Sequence, residues 1–137
     1  MKNLSKFLFP IMLIAILFTI TGCEKLSDEE LLMEEVWKWD KMTTNSTNDD
    51  IKTLVAFSDA LMTGGIFSFR PDGTYKVNVS AFSYEETGTW ELIDSKTLKM
   101  DDDEMEIIKL TKDELVLGSE EVDNEYGTYS TTMYLIK

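Results

Sequence analysis

The sequence predicts a mainly β domain of eight short antiparallel strands, with one amphipathic helix between the first two strands. Segments of alternating apolar and polar residues recur along residues 36–137, and turn signals separate them at short, even spacing. Only residues 49–62 change to a helical period. Evenly spaced short strands are typical of a β sandwich or a closed barrel rather than of a parallel sheet with alternating helices.

The first strand is predicted at residues 36–42, where Trp37 and Trp39 alternate with charged side chains. Residues 29–35 ahead of it predict one or two helical turns. The other strands are predicted at residues 66–70, 74–79, 86–93, 97–100, 105–110, 114–118 and 126–136. Between the second and third strands lies Pro71-Asp72-Gly73, a turn in which proline presets φ and glycine accepts the strained corner.

The helix is predicted from apolar residues at helical spacing, namely Ile51, Leu54, Val55, Leu61 and Met62. Asp49 and Asp50 fall in its first turn, where the helix dipole favours negative charge, and Gly64 follows its end. Thr47 and Asp50 have the spacing of a capping box. We therefore expect one amphipathic helix of about four turns.

The N-terminal segment has the features of an export signal. Lys2 and Lys6 precede a mainly apolar stretch at residues 7–20. At about 1.5 Å per residue this stretch reaches about 21 Å, short of the roughly 30 Å needed to cross a bilayer. The following Ile20-Thr21-Gly22-Cys23 resembles the lipobox of bacterial lipoproteins, although an ordinary secretory signal followed by a chance cysteine stays open.

The lipobox resemblance implies that residues 1–22 are a lipoprotein signal peptide and that Cys23 is acylated after cleavage. Several acyl chains would hold the protein on a bilayer where one chain alone is marginal. The implied location is the cell envelope, lipid-anchored, with the outer membrane favoured and its face left open. Residues 23–35 are expected to be an acidic tether or, alternatively, a sorting signal for surface display.

Residues 36–137 resemble the lipocalin-like domains of small bacterial lipoproteins. The likeness rests on Trp37 and Trp39, on the corner Asp72-Gly73-Thr74-Tyr75, on Gly88-Thr89-Trp90, and on residues 108–117 with their short acidic turn. It implies an eight-stranded meandering barrel and no catalytic residues. The helix between the first two strands departs from that pattern and is reminiscent of the lid of fatty-acid-binding barrels.

An eight-stranded barrel either fills its interior with side chains or holds one small ligand. The alternation of the predicted strands places ten candidate ligand-lining residues on the inner face: Phe67, Phe69, Tyr75, Val77, Trp90, Leu92, Met100, Ile108, Leu117 and Met133. The alternative is that these side chains only fill a compact core.

Composition excludes several function classes. The chain has 13 basic and 26 acidic residues, a net charge of −13, no histidine and one cysteine, so nucleic acid binding, a cofactor site and histidine- or thiolate-based metal sites are not expected. Arg70, the single arginine, abuts a turn and is expected to be exposed. The acidic run at residues 101–104 lacks the spacing of a calcium loop and is expected to be a solvated hairpin tip.

No nucleophile motif, phosphate-binding glycine loop or distinctive carboxylate pair occurs, so an enzyme is not expected. We expect a membrane-anchored, non-catalytic binding module for a small apolar ligand or an envelope partner. The alternative is a structural or protein-interaction lipoprotein with a filled core and no ligand. The identity of any protein partner is left open.

Overall fold

The computed structural model describes residues 25–137, which form a closed barrel of eight antiparallel strands in sequence order. The strands are β1 (Trp37–Thr44), β2 (Ile66–Phe69), β3 (Thr74–Val79), β4 (Tyr84–Asp94), β5 (Thr97–Met100), β6 (Asp103–Leu110), β7 (Glu114–Asp123) and β8 (Gly127–Ile136). β8 pairs with β1, for example Leu135 with Trp39, and this pairing closes the sheet. The predicted fold class is confirmed, and of the two architectures left open by strand spacing the closed barrel is the observed one.

A short helix, α1 (Asp28–Met33), precedes the barrel. Ser27 caps it reciprocally with Glu30, and its Leu32 is 0% exposed. The indole Nε1 of Trp37 donates a hydrogen bond of 3.0 Å to the Leu32 carbonyl oxygen. Residues 28–33, which the sequence assigns to the tether, therefore belong to the folded body and cover the end of the barrel where β1 begins.

The second helix, α2 (Asp49–Met62), lies between β1 and β2 as predicted. Its N-cap is Asn48 rather than the expected Thr47. The side-chain oxygen of Asn48 accepts hydrogen bonds from the amides of Asp50 and Ile51. Asparagine is a strong N-cap because its short side chain reaches the free amides of the first turn. A short 3-10 turn, Ser80–Phe82, connects β3 to β4.

Three strands contain irregularities that change which residues point inward. The pairing register shifts between Trp39 and Lys41, between Leu92 and Asp94, and between Ile107 and Lys109. Each shift leaves one extra residue on one strand, as in a β-bulge, and reverses the alternation beyond it. The structure also starts β4 and β6 two residues earlier than predicted and extends β7 by five residues, to Asp123.

One end of the barrel is filled with large side chains. Phe69 and Trp90 meet edge to face with ring centroids 5.5 Å apart, and Trp90 Nε1 donates to the carbonyl oxygen of Arg70. Trp37 and Leu32 complete this packing and are fully buried. We call this the filled end, and the opposite end, where β1 finishes and β4 begins, the open end.

Residues 25–137 supply the eight paired strands of the closed sheet and a cluster of buried core residues. A closed barrel has no free edge that another segment must pair with, so this segment can be studied as a separate folded unit. Within these residues, no helix has the length and apolar character needed to cross a membrane.

Candidate ligand cavity

The open end of the barrel contains a cavity of about 900 Å³. This volume lies within the range of roughly 300–1,000 Å³ found for small-molecule sites. Trp39, Phe67, Val77 and Leu117 form part of its apolar wall, from β1, β2, β3 and β7. The cavity therefore lies toward the open end, away from the edge-to-face pair of Phe69 and Trp90.

Methionine is the commonest residue in the apolar part of the cavity wall. Five of the six methionines in residues 25–137 line the cavity: Met42, Met62, Met100, Met105 and Met133. A methionine side chain has three rotatable bonds and a polarisable sulfur, so it adapts its shape to irregular neighbours. A wall of this kind can close around apolar ligands of different shapes.

The mouth of the cavity is acidic. Seven carboxylates line it: Glu86, Asp101, Asp102, Asp103, Glu104, Glu120 and Glu121. They come from β4, from the β5–β6 hairpin with the start of β6, and from the end of β7, and no lysine or arginine lies among the lining residues. The site is thus apolar inside and uniformly negative at its entrance. We call these seven residues the acidic mouth.

Asp101 is held in a defined position at the edge of the cavity. It accepts a hydrogen bond of 2.7 Å from the Tyr75 hydroxyl and one of 2.9 Å from the Thr89 amide. The Thr89 amide, with the Tyr75 hydroxyl second, lowers the pKa of Asp101 below its ordinary value of 3.8. Burial, together with the carboxylates of Asp101 and Glu86, raises the pKa of Tyr75, so its hydroxyl stays protonated and donates.

Gly88 makes this cluster possible. A Cβ atom at Gly88 would lie 2.5 Å from both carboxylate oxygens of Asp101 and 2.6 Å from Cε1 of Tyr75. Any larger residue at this position would displace the carboxylate. Because Gly88 has no side chain, the β5–β6 hairpin can approach β4 closely at this position.

Helix α2 lies at the open end and contributes Ser58 and Met62 to the cavity wall. Asp59 anchors it to β1, because one carboxylate oxygen accepts hydrogen bonds from Trp39 Nε1 at 2.9 Å and from the Met42 amide at 2.8 Å. Both donors belong to residues that also line the cavity. The position of α2 is thus coupled directly to the cavity wall.

Of the ten predicted lining residues, six lie around this cavity: Phe67, Tyr75, Val77, Met100, Leu117 and Met133. Phe69 and Trp90 are buried at the filled end, and Leu92 is half-buried against the core. Ile108 is a wrong prediction: it is 55% exposed because the bulge in β6 turns it outward, and Ile107, 9% exposed, takes the inward position.

Several lining residues were not predicted from the sequence. Trp39 alternates with charged residues on β1, and that alternation was sufficient to place it inside. Met105 lies near the start of β6, directly after the acidic hairpin. No sequence pattern in this hairpin indicates that Met105 borders a cavity. Met62 is contributed by a helix, whose orientation over the barrel is a tertiary property.

The acidic mouth does not have the arrangement of a metal site. Among residues 25–137, no group of three or more carboxylates converges as ligands to one ion. Its members are exposed side chains on the neighbouring strands β4 to β7 and the β5–β6 hairpin. Cys23 and the rest of the predicted export signal lie outside the described residues.

No family model and no curated protein matches the chain. Among solved structures, it is similar to a DUF4847 family protein from Bacteroides vulgatus, with 15% identity and a TM-score of 0.49 over 78% of this chain and 96% of that chain. It is also similar to bovine odorant-binding protein in complex with its natural ligand, with 19% identity and a TM-score of 0.48 over 85% and 76% of the two chains. A complex of bovine odorant-binding protein with a selenium-containing odorant gives 18% identity and a TM-score of 0.49 over the same shares. The barrel assignment itself rests on the strand pairing of this chain.

Proposed function

We propose that this protein is a non-catalytic binding module that holds a small apolar ligand in the open end of its barrel. The observation that carries the proposal is the cavity of about 900 Å³ with its methionine-rich apolar wall. A completely filled interior would leave no space of this size, because protein interiors normally pack without large voids. The stacked rings of Trp39 and Phe67, with centroids 6.1 Å apart, form part of the cavity wall.

Helix α2 is proposed to control access to the cavity. It is fixed to the barrel mainly through Asp59 and through the buried Ile51 and Val55, while Ser58 and Met62 face the ligand space. A ligand enters when this helix moves, and it is retained when Asp59 re-forms its hydrogen bonds to β1.

A second candidate function is interaction with another protein through an apolar surface. Leu54, Phe57 and Leu61 on α2 are 55%, 61% and 39% exposed, and Phe82 beyond β3 is 60% exposed. Exposed large apolar side chains of this kind occur at protein interfaces. This function predicts that apolar small molecules leave the barrel unchanged, so ligand titration separates the two candidates.

The test is titration of residues 25–137 with N-phenyl-1-naphthylamine, a neutral apolar dye that fluoresces on entering an apolar site. We expect saturable binding to the wild-type protein. Met133→Trp places a larger side chain in the cavity and is expected to weaken binding at least about tenfold, since most of the affinity of an apolar ligand comes from the surface it buries.

Tyr134→Trp is the matched control. Tyr134 is the next residue on β8 and points to the outer face, where Lys41 Nζ lies 4.9 Å from its ring centroid. This variant adds a tryptophan to the same strand without filling the cavity, so its dye affinity should equal that of the wild type. Absence of saturable binding, or equal binding by the two variants, would contradict the proposed function.

The proposed place of action is the cell envelope, with the barrel held on a bilayer, preferably the outer membrane, through acylated Cys23. The support is the sequence alone: basic residues, an apolar stretch and Ile20-Thr21-Gly22-Cys23. Metabolic labelling with a fatty acid should mark the full chain but not Cys23→Ser, and this variant should leave the membrane fraction. An unlabelled wild-type protein would refute the anchor without affecting the proposed cavity.

A further inference from the structure

We infer that the ligand of the cavity carries a positive charge: it is an organic cation with an apolar body, such as a hydrophobic ammonium compound. This inference rests on the proposed function and specifies the ligand class. The apolar body would occupy the methionine-lined interior, and the cationic group would lie at the acidic mouth. The cavity supplies the site, and the charge of its entrance selects among apolar ligands.

The charges that line the cavity all have the same sign. Seven carboxylates and no basic side chain contribute to its lining. An entrance of one sign focuses the electrostatic field and raises the local concentration of ligands of opposite sign. A fatty acid or another anionic amphiphile would have to bring its head group among like charges, and no basic side chain among the described lining residues would offset them.

No ion pair among residues 25–137 neutralises these carboxylates. Within the described residues, ion pairs join Lys52 to Asp49, Lys76 to Glu85, Lys109 to Glu114, and Lys137 to Glu34. None of these pairs includes a member of the acidic mouth. The negative charge of the entrance is therefore left for a ligand or for solvent ions.

The spacing of the carboxylates suits an organic cation better than a metal ion. A compact metal ion such as Ca²⁺ requires several oxygens that converge at about 2.3–2.6 Å, and no such group occurs among residues 25–137. The carboxylates instead lie along one side of an apolar space, on the neighbouring strands β4 to β7 and the β5–β6 hairpin, with the ring of Tyr84 beside Glu86. Carboxylates combined with aromatic surface suit a large, weakly hydrated organic cation.

The test compares three ligands that share one alkyl chain and differ in the charge of the head group: decyltrimethylammonium, decanol and decanoate. Each is titrated into residues 25–137 by isothermal titration calorimetry, below its aggregation concentration and at low salt. We expect decyltrimethylammonium to bind at least about tenfold more tightly than decanol, and decanoate to bind most weakly. Added salt should reduce the preference for the cation, because exposed charges are screened.

A charge-removal variant locates the effect. Asp102→Asn/Glu104→Gln/Glu120→Gln removes charge from the mouth and leaves Asp101 with its structural hydrogen bonds intact. The cation should lose most of its preference over decanol, while decanol affinity stays unchanged. The matched control, Glu29→Gln/Glu91→Gln/Asp113→Asn, removes the same charge from exposed positions outside the cavity lining and should retain the preference.

The outcomes separate this inference from the proposed function. If decanol and the cation bind equally, or decanoate binds best, the cavity is a ligand site but the inferred ligand class is wrong. If none of the three ligands binds, the proposed function fails and the inference fails with it. Because the wild-type comparison alone distinguishes these results, the conclusion does not depend on the folding of the variants.

Discussion

Asp101 connects three parts of the barrel through one carboxylate. It lies in the β5–β6 hairpin with a φ of 53°, accepts hydrogen bonds from Thr89 on β4 and Tyr75 on β3, and approaches Gly88 closely. An ionised carboxylate that accepts several hydrogen bonds binds its donors more strongly than a neutral group does. Asp101 therefore contributes both to the shape of the cavity edge and to the stability of the fold.

Asp101→Asn should give a pH-dependent loss of stability. The pKa of Asp101 lies below 3.8 in the fold, so its contribution is present above the ordinary value and is lost as pH falls through the lower folded value. Asparagine tolerates the positive φ, so the backbone conformation should persist. In urea unfolding, the wild type should be more stable than the variant near pH 7, and this difference should shrink at about pH 3.

The control for this prediction is Asp102→Asn, which removes the same charge one residue later without removing those bonds. Its difference from the wild type should be small and should vary little with pH. A pH profile for Asp101→Asn that matches the profile of Asp102→Asn would show that the hydrogen bonds of Asp101 do not stabilise the fold.

The inward residue of β6 was predicted wrongly from the sequence, because a bulge exchanges the positions of Ile107 and Ile108. Simple alternation along β6 favours Ile108 as the inward residue, but the bulge shifts the register so that Ile107 pairs with Leu117 and enters the core. Ile108 instead lies over Gly118, where a Cβ atom would come within 2.9 Å of its Cδ1. Neither isoleucine carries a local signal for this, because a bulge depends on how the neighbouring strand is paired.

The two isoleucines give a direct test of the bulge. Ile107→Ala should lower the free energy of unfolding by about 2–5 kcal/mol, because it leaves a cavity in the core. Ile108→Ala should change it by no more than about 0.5 kcal/mol, as expected at an exposed position. Urea unfolding measures both changes in the free energy of unfolding. A larger loss for Ile108→Ala than for Ile107→Ala would show that Ile108, and not Ile107, enters the core.

Among the elements, α2 combines a buried side with an exposed apolar side. Its position and length were predictable because apolar residues recur at helical spacing between a polar loop and Gly64. Its orientation was not, because Ile51 and Val55 form one apolar stripe while Leu54, Phe57 and Leu61 form another. The hydrogen bonds of Asp59 to Trp39 and Met42 fix which stripe faces the barrel.

Removing this anchor should loosen the helix. Asp59→Ala deletes both hydrogen bonds, so amides in Asp49–Met62 should exchange with solvent faster, with the local opening free energy reduced by about 1–3 kcal/mol. Asp59→Asn keeps one carbonyl oxygen as an acceptor and should retain most of the protection. Hydrogen exchange with mass spectrometry distinguishes the two, and unchanged exchange in Asp59→Ala would exclude Asp59 as the anchor of α2.

For the molecule as a whole, the barrel divides into a filled end and an open end. The eight strands were predictable because each has alternating residues bounded by turn signals. Strand spacing alone left a sandwich or a barrel open, and only the resemblance to lipocalin-like domains implied a barrel. The cavity was not predictable, since its volume depends on how Phe69, Trp90 and the methionines fit together. The acidic run at residues 101–104 was predicted to be a solvated hairpin tip. In the structure these residues line the entrance of the cavity.

The most direct test of the central claim, that the open end holds an apolar ligand, is native mass spectrometry of the barrel purified from the cells that make it. Wild-type protein and Tyr134→Trp should each carry a non-covalent small molecule, and Met133→Trp should be free of it. A wild-type protein that shows only its covalent mass, or a bound molecule that persists in Met133→Trp, would contradict the claim.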